Sequence, residues 1–117
     1  MTESEVYEKW VRPMCREEGL FVMRVEQPGV PDVYMAKNGN VLWGELKCVS
    51  KKTGLIKPSW RPGQLSWIRL NAHYGNKNIC LILYYEGQVY FLPPRENYAR
   101  EELVCLKDLY LKSLKTI

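Results

Sequence analysis

Residues 29–47 read GVPDVYMAKNGNVLWGELK, and this stretch decides the fold. Asp32 to Ala36 and Val41 to Leu46 are two β-rich runs separated by Lys37-Asn38-Gly39-Asn40. Asn-Gly between such runs is a strong hairpin signal, because both residues tolerate the positive φ that a tight turn of the right twist demands. Asp32 then opens one strand, and Glu45 and Lys47 lie near the end of the other. Side chains alternate along a strand, so Glu45 and Lys47 share a face while Leu46 points into the core.

Outward from the hairpin the chain alternates helix and strand signals. Glu3 to Glu18 carries apolar Val6, Tyr7, Trp10, Val11 and Met14 at helical spacing, and Gly19 stands where a helix stops. Pro13 inside that pattern removes a backbone donor and predicts a kink or restart near Val11. Leu20 to Val25 reads as a strand, ended by the turn at Gln27-Pro28-Gly29. Downstream, Ser50 to Arg61 reads as a loop. A helix follows with Pro62 at its first position, Leu65, Ile68 and Ala72 on one face, and Gly75 at its end. Ile79 to Tyr85 is a continuous apolar run of strand length, Glu86-Gly87 a turn, and Gln88 to Leu92 a second strand. Pro93-Pro94 breaks the chain. A short segment around Tyr98 to Glu102 precedes a last helix from Leu103 to Leu114. The 117 residues read as one domain, without repeats or low-complexity stretches.

A hydrophobic fraction of 46% beside 26% charged residues is ordinary for a globular protein and excludes a disordered chain. The longest apolar run is far shorter than the roughly 18 residues of a membrane span. The N-terminus lacks the basic-then-apolar order of an export signal, so a cytoplasmic, non-secreted protein is expected. Cys15, Cys48, Cys80 and Cys105 are widely spaced, with no zinc-ligand pattern, and are expected to be buried and reduced. The net charge is only +4, but its distribution is uneven. The stretch 46–85 contains no Asp or Glu, while Lys47, Lys51, Lys52, Lys57, Arg61, Arg69 and Lys77 all fall in it. Mixed signs serve solubility better, so a segment of one sign points to a polyanionic partner.

The hairpin brings Asp32, Glu45 and Lys47 to one patch. Phosphodiester hydrolysis calls for a hard cation against the phosphate charge, and Mg²⁺ is typically held by one or two carboxylates with water and phosphate oxygens. Asp32 and Glu45 suit that donor set. Lys47 can orient or help deprotonate the attacking water, or stabilise the developing negative charge. A lone Asp after proline is ordinarily a turn residue, and a lone Glu-x-Lys ordinarily a solvated cross-strand pair. Their combination across a hairpin, ahead of an acid-free basic segment, is what points to chemistry. Lys51, Lys52, Lys57 and Arg61 are candidate phosphate contacts, and Trp60 is a candidate base-stacking or wedging residue or simply a packed loop aromatic. His73 has no acidic or thiol partner near it in sequence and is not expected to be catalytic.

Gly29-Val30-Pro31-Asp32, Gly44-Glu45-Leu46-Lys47 and Pro62-Gly63-Gln64 at a helix start resemble the PD-(D/E)XK nucleases and, among them, the virus-type replication-repair (VRR-NUC) family. The resemblance runs from the first helix to the strand at Ile79. It implies an α/β, restriction-endonuclease-like mixed β-sheet flanked by helices. It implies Mg²⁺, with Mn²⁺ able to substitute, held by Asp32, Glu45 and the backbone carbonyl of Leu46, with Lys47 assisting and Gln64 near the site. The family also places a glutamate on the first helix. Among Glu3, Glu5 and Glu8, Glu3 lies three, four and seven residues before Val6, Tyr7 and Trp10, shares their inward face and is favoured. The implied partner is branched DNA bound by a homodimer, with no small-molecule cofactor, and the specific expectation is resolution of four-way (Holliday) junctions. Flap, nicking or restriction cleavage, a non-catalytic nucleic-acid-binding module, and a scaffolding subunit are the alternatives.

Overall fold

A computed structural model of the chain describes residues 1–27, 29–50, 53–75 and 78–115. The predicted hairpin forms from β2 (Val33–Lys37) and β3 (Asn40–Val49), with partners from Lys37 and Asn40 to Val33 and Gly44. Its turn residues Asn38 and Gly39 have φ of 54° and 78°, the backbone of the primed turn that matches strand twist. On the outer side of β2, β1 (Phe21–Arg24) pairs antiparallel. β3 outruns β2, and its other edge pairs parallel with β4 (Ile79–Tyr85), from Trp43 and Ile79 to Val49 and Tyr85. β5 (Gln88–Leu92) returns antiparallel along β4. The sheet therefore runs β1-β2-β3-β4-β5 and is mixed, since the β3 to β4 step crosses over through α3 (Gln64–His73).

One face of the sheet presents Val33, Met35, Leu42, Leu46 and Ile82 to Val6, Val11 and Cys15 of the N-terminal helices and to Leu111 and Leu114 of α4 (Lys107–Lys115). The other presents Leu81, Leu83 and Tyr85 to Ile56 and Tyr98, whose backbones exchange hydrogen bonds of 2.8 and 2.9 Å. Gln64 brings the start of α3 to this second face through its bond to Glu45. The expected α/β architecture, a mixed sheet flanked by helices, is what the chain adopts.

The differences from expectation have local causes. The first helix is α1 (Glu3–Val6), a π turn (Tyr7–Val11) and α2 (Arg12–Glu17). The wide turn, with the Arg12 N–H donating to the Tyr7 carbonyl, makes room for Pro13, which cannot donate and would crowd an α-helical ladder. It also shifts the register, so Val11 and Cys15 turn inward and Trp10, expected in the core, is 42% exposed. The helix expected to start at Pro62 begins at Gln64, with Pro62 and Gly63 in the turn leading into it. The final helix starts later than Leu103, because the Leu106 N–H is held by the Phe91 carbonyl at the end of β5. Cys15 and Cys80 are buried, as expected, but Cys48 is only half-buried and Cys105 is exposed. No described helix is long and apolar enough to cross a membrane.

Gly44 is fixed by packing. A Cβ there would stand 2.5 Å from Ile82 Cδ1 and 3.2 Å from Met35 Cε, inside the helix-covered face. Overpacking of a filled core costs about 1–3 kcal/mol, so Gly44→Ala is expected to lower the melting temperature without unfolding the chain at room temperature. An unchanged melting curve would mean that Ile82 swings aside freely.

Candidate active site

Pairing of β2 with β3 stops at Val33 and Gly44, so Asp32 leaves β3 where the Glu45-Leu46-Lys47 segment begins. The Val25 N–H holds the Asp32 carbonyl at 2.8 Å, and Asp32 Oδ1 accepts the Leu46 N–H at 2.8 Å. The carboxylate takes over the donor that the departing strand no longer satisfies. Because a residue's N–H and C=O project from the same edge of a strand, the Leu46 carbonyl faces the same gap. Leu46 itself is fully buried in the core beneath.

Glu45 and Lys47 lie on the opposite face, and each is only 5% exposed, which rules out a solvated surface pair. Lys47 Nζ stands 3.3 Å from Glu45 Oε2 and donates to Gln64 Oε1 at 3.1 Å and to the Ser59 carbonyl at 2.9 Å. Gln64, also buried, donates from Nε2 to Glu45 Oε2 at 2.8 Å, and its Oε1 accepts the Arg61 N–H at 2.6 Å. One amide thus orients the carboxylate and the ammonium and ties both to the loop before α3. Burial pushes Asp32 up to about 7, reinforced by the neighbouring Glu45 charge and opposed by the Leu46 N–H. Burial also raises Glu45, against the pull of Lys47 and Gln64.

Asp32, Glu45 and Gln64 open onto a cavity of about 260 Å³ whose wall includes Glu3, Arg24 and Arg61. Of the three N-terminal glutamates, Glu5 is engaged with Thr2 in the helix cap and Glu8 with Arg12 at 2.9 Å, whereas Glu3 faces the cavity. Among the described residues no three His, Cys, Asp or Glu side chains gather into a ready-made metal cluster. Two carboxylates beside a strand carbonyl nevertheless match the sparse protein donor set of Mg²⁺, whose remaining ligands are water and phosphate. Lys57 and Arg61 are exposed, Trp60 is half-buried behind Lys47, and Lys51 and Lys52 lie outside the described residues. His73 is exposed against Tyr74 and is not among the cavity residues.

Two participants were not read from the sequence. Arg24 enters the cavity wall, donates from Nη1 to Ser4 Oγ at 2.6 Å and has a buried Nε with no hydrogen-bond partner among the described residues. Its signal was a cation in the apolar register of Leu20 and Val22. The Ser59 carbonyl, an acceptor for Lys47, left none, since any residue supplies one.

No family model and no curated protein sequence matches the chain. Among solved structures it is similar to Hjc of Archaeoglobus fulgidus, a Holliday junction resolvase from an archaeal hyperthermophile. The TM-score is 0.65 over 93% of this chain and 96% of that one, at 12% sequence identity. At that identity the likeness is one of fold.

Folded Asp32 holds its proton more tightly than the unfolded chain does, so stability falls as pH rises from its ordinary value of 3.8 to about 7. Asp32→Asn removes that penalty and still leaves an oxygen for the Leu46 N–H. In metal-free protein the variant is expected to be more stable than wild type near pH 8 by about 1–2 kcal/mol, allowing for partial exposure, and equal to it below about pH 4. Melting curves at the two pH values check this. A variant that melts lower near pH 8 would mark Asp32 as a structural group.

Proposed function

We propose that this chain is a single-domain, divalent-metal-dependent DNA endonuclease of the PD-(D/E)XK superfamily and VRR-NUC type, acting on four-way junctions as a homodimer. The observation that carries the reading is the buried Glu45–Lys47–Gln64 network beside Asp32. A charged assembly of this kind costs desolvation free energy that an apolar core would not, so a role in chemistry accounts for it better than stability does. The fold shared with a Holliday junction resolvase supports the choice of substrate.

In this reading Asp32, Glu45 and the Leu46 carbonyl, with Glu3 from α1, hold Mg²⁺ or Mn²⁺. When bound, the ion offsets charge on the scissile phosphate and lowers the pKa of bound water. Lys47 Nζ supplies a fixed positive charge, aimed by its acceptors instead of by solvent, where negative charge grows on the phosphate. Gln64 keeps Glu45 and Lys47 in register. The partnerless Arg24 Nε is a donor at the cavity wall for a phosphate oxygen. Lys57 and Arg61, with Lys51 and Lys52, bind flanking phosphates and make affinity fall with salt. Two sites related by a dyad suit symmetric cutting of two strands.

Purified protein with end-labelled four-way junction, flap and linear duplex is expected to cut the junction symmetrically in Mg²⁺ or Mn²⁺ and not in EDTA. Glu45→Ala should bind the junction yet cleave it about 1,000-fold more slowly or worse. Preferential cutting of flap or duplex would retain the nuclease and discard the resolvase. Binding without cutting in any metal would leave a non-catalytic nucleic-acid-binding module.

A further inference from the structure

The loop before α3 is attached to the rest of the molecule in an unusual place. The Trp60 Nε1–H donates to the Arg95 carbonyl at 2.8 Å, reaching across to the segment after β5. That segment is cross-linked by hydrogen bonds of its own. The Tyr98 hydroxyl donates to the Pro93 carbonyl and accepts the Arg95 N–H at 2.9 Å, while the Tyr98 backbone is bridged to Ile56 in both directions. The indole also packs against the cluster of Ile56, Leu81, Leu83 and Tyr98. Its ring lies 5.6 Å from Lys47 Nζ, within the range of a cation–π contact. The residue just before it, Ser59, gives Lys47 its carbonyl.

We propose that Trp60 is a positioning residue: pinned to the Arg95 carbonyl, it covers the Lys47 ammonium and holds the Ser59 carbonyl on it, acting on cleavage through Lys47 and not through contact with DNA. This deepens the endonuclease reading and, for its kinetic part, rests on it. Of the groups that surround Lys47 Nζ, Glu45 and Gln64 are set by the strand and by α3, while the indole ring is set by its bond to Arg95, and the Ser59 carbonyl is held between that anchor and the Arg61 N–H bond to Gln64. Without that anchor the ammonium loses its apolar cover, and the Ser59 carbonyl is held from one side only. Small displacements of a catalytic group cost rate at saturating substrate far more than they cost binding.

The test uses the full chain, with single-turnover junction cleavage in Mg²⁺ and junction binding in EDTA. Trp60→Phe keeps a ring and loses the N–H, and is expected to slow cleavage at saturating junction about fivefold; Trp60→Ala should slow it about 30-fold. Junction affinity should stay within about twofold in both. Combined with Lys47→Ala, Trp60→Ala should add no further loss, since it acts through the missing group. A tenfold loss of affinity with an unchanged saturating rate, or a full additional loss on top of Lys47→Ala, would overturn the proposal in favour of a DNA contact. If Trp60→Ala does not fold, Trp60→Phe carries the comparison. Proton exchange of the Lys47 ammonium, followed by NMR in metal-free protein, is independent of cleavage. Exchange that is slow in wild type and clearly faster in Trp60→Phe supports the anchor, and equal exchange refutes it even if the wild-type chain cuts no DNA.

Discussion

The hydrogen bond from the Leu46 N–H to Asp32 Oδ1 is the constraint on which the site depends. A strand that outruns its neighbour leaves backbone donors and acceptors exposed, and buried ones must find partners. Here the solution is a carboxylate from the first residue past the neighbour's end. It satisfies the donor and turns a gap in the sheet into a place where negative charge and a backbone carbonyl meet. The catalytic reading of Asp32 and its role in closing the sheet are therefore one fact seen from two sides. Asparagine could serve the second role and not the first.

The same division runs through β3. Its even-numbered residues Leu42, Gly44 and Leu46 face a helix-covered core with no slack, as the 2.5 Å approach available to a Gly44 Cβ shows. Its odd-numbered residues Glu45 and Lys47 face a polar network in which Gln64 makes bonds in three directions. Close packing on one face fixes the pleat, and a fixed pleat sets the direction of the charged side chains on the other. The packed face limits backbone freedom, so the side chains of the polar face start from fixed positions.

Much of this was legible in the residues. Asn38-Gly39 announced the hairpin because few pairs tolerate two positive φ values, and the apolar run from Ile79 announced a strand buried on both sides. Period-2 alternation was enough to place Glu45 and Lys47 together. The π turn was not legible, since Pro13 advertises a disturbed helix without saying how the backbone will absorb it, and the outward turn of Trp10 followed from that same unknown. Arg24 reaches the cavity through long-range packing of β1 against the N-terminal helix. No local pattern reports the proximity of Arg24 to Ser4, 20 residues away. The contribution of Ser59 is a main-chain carbonyl, to which sequence is blind.

The parallel step in the sheet has a consequence in time as well as space. β1, β2 and β3 are joined by short antiparallel connections, and so are β4 and β5, so each group can form from contacts close along the chain. Pairing β3 with β4 requires closing the whole crossover through α3, and long closures carry the entropy that makes such contacts late. Gln64 belongs to that crossover. A nascent chain would therefore assemble its hairpins first and its charged network last, so the Glu45–Lys47–Gln64 cluster is complete only when the rest of the molecule is in place.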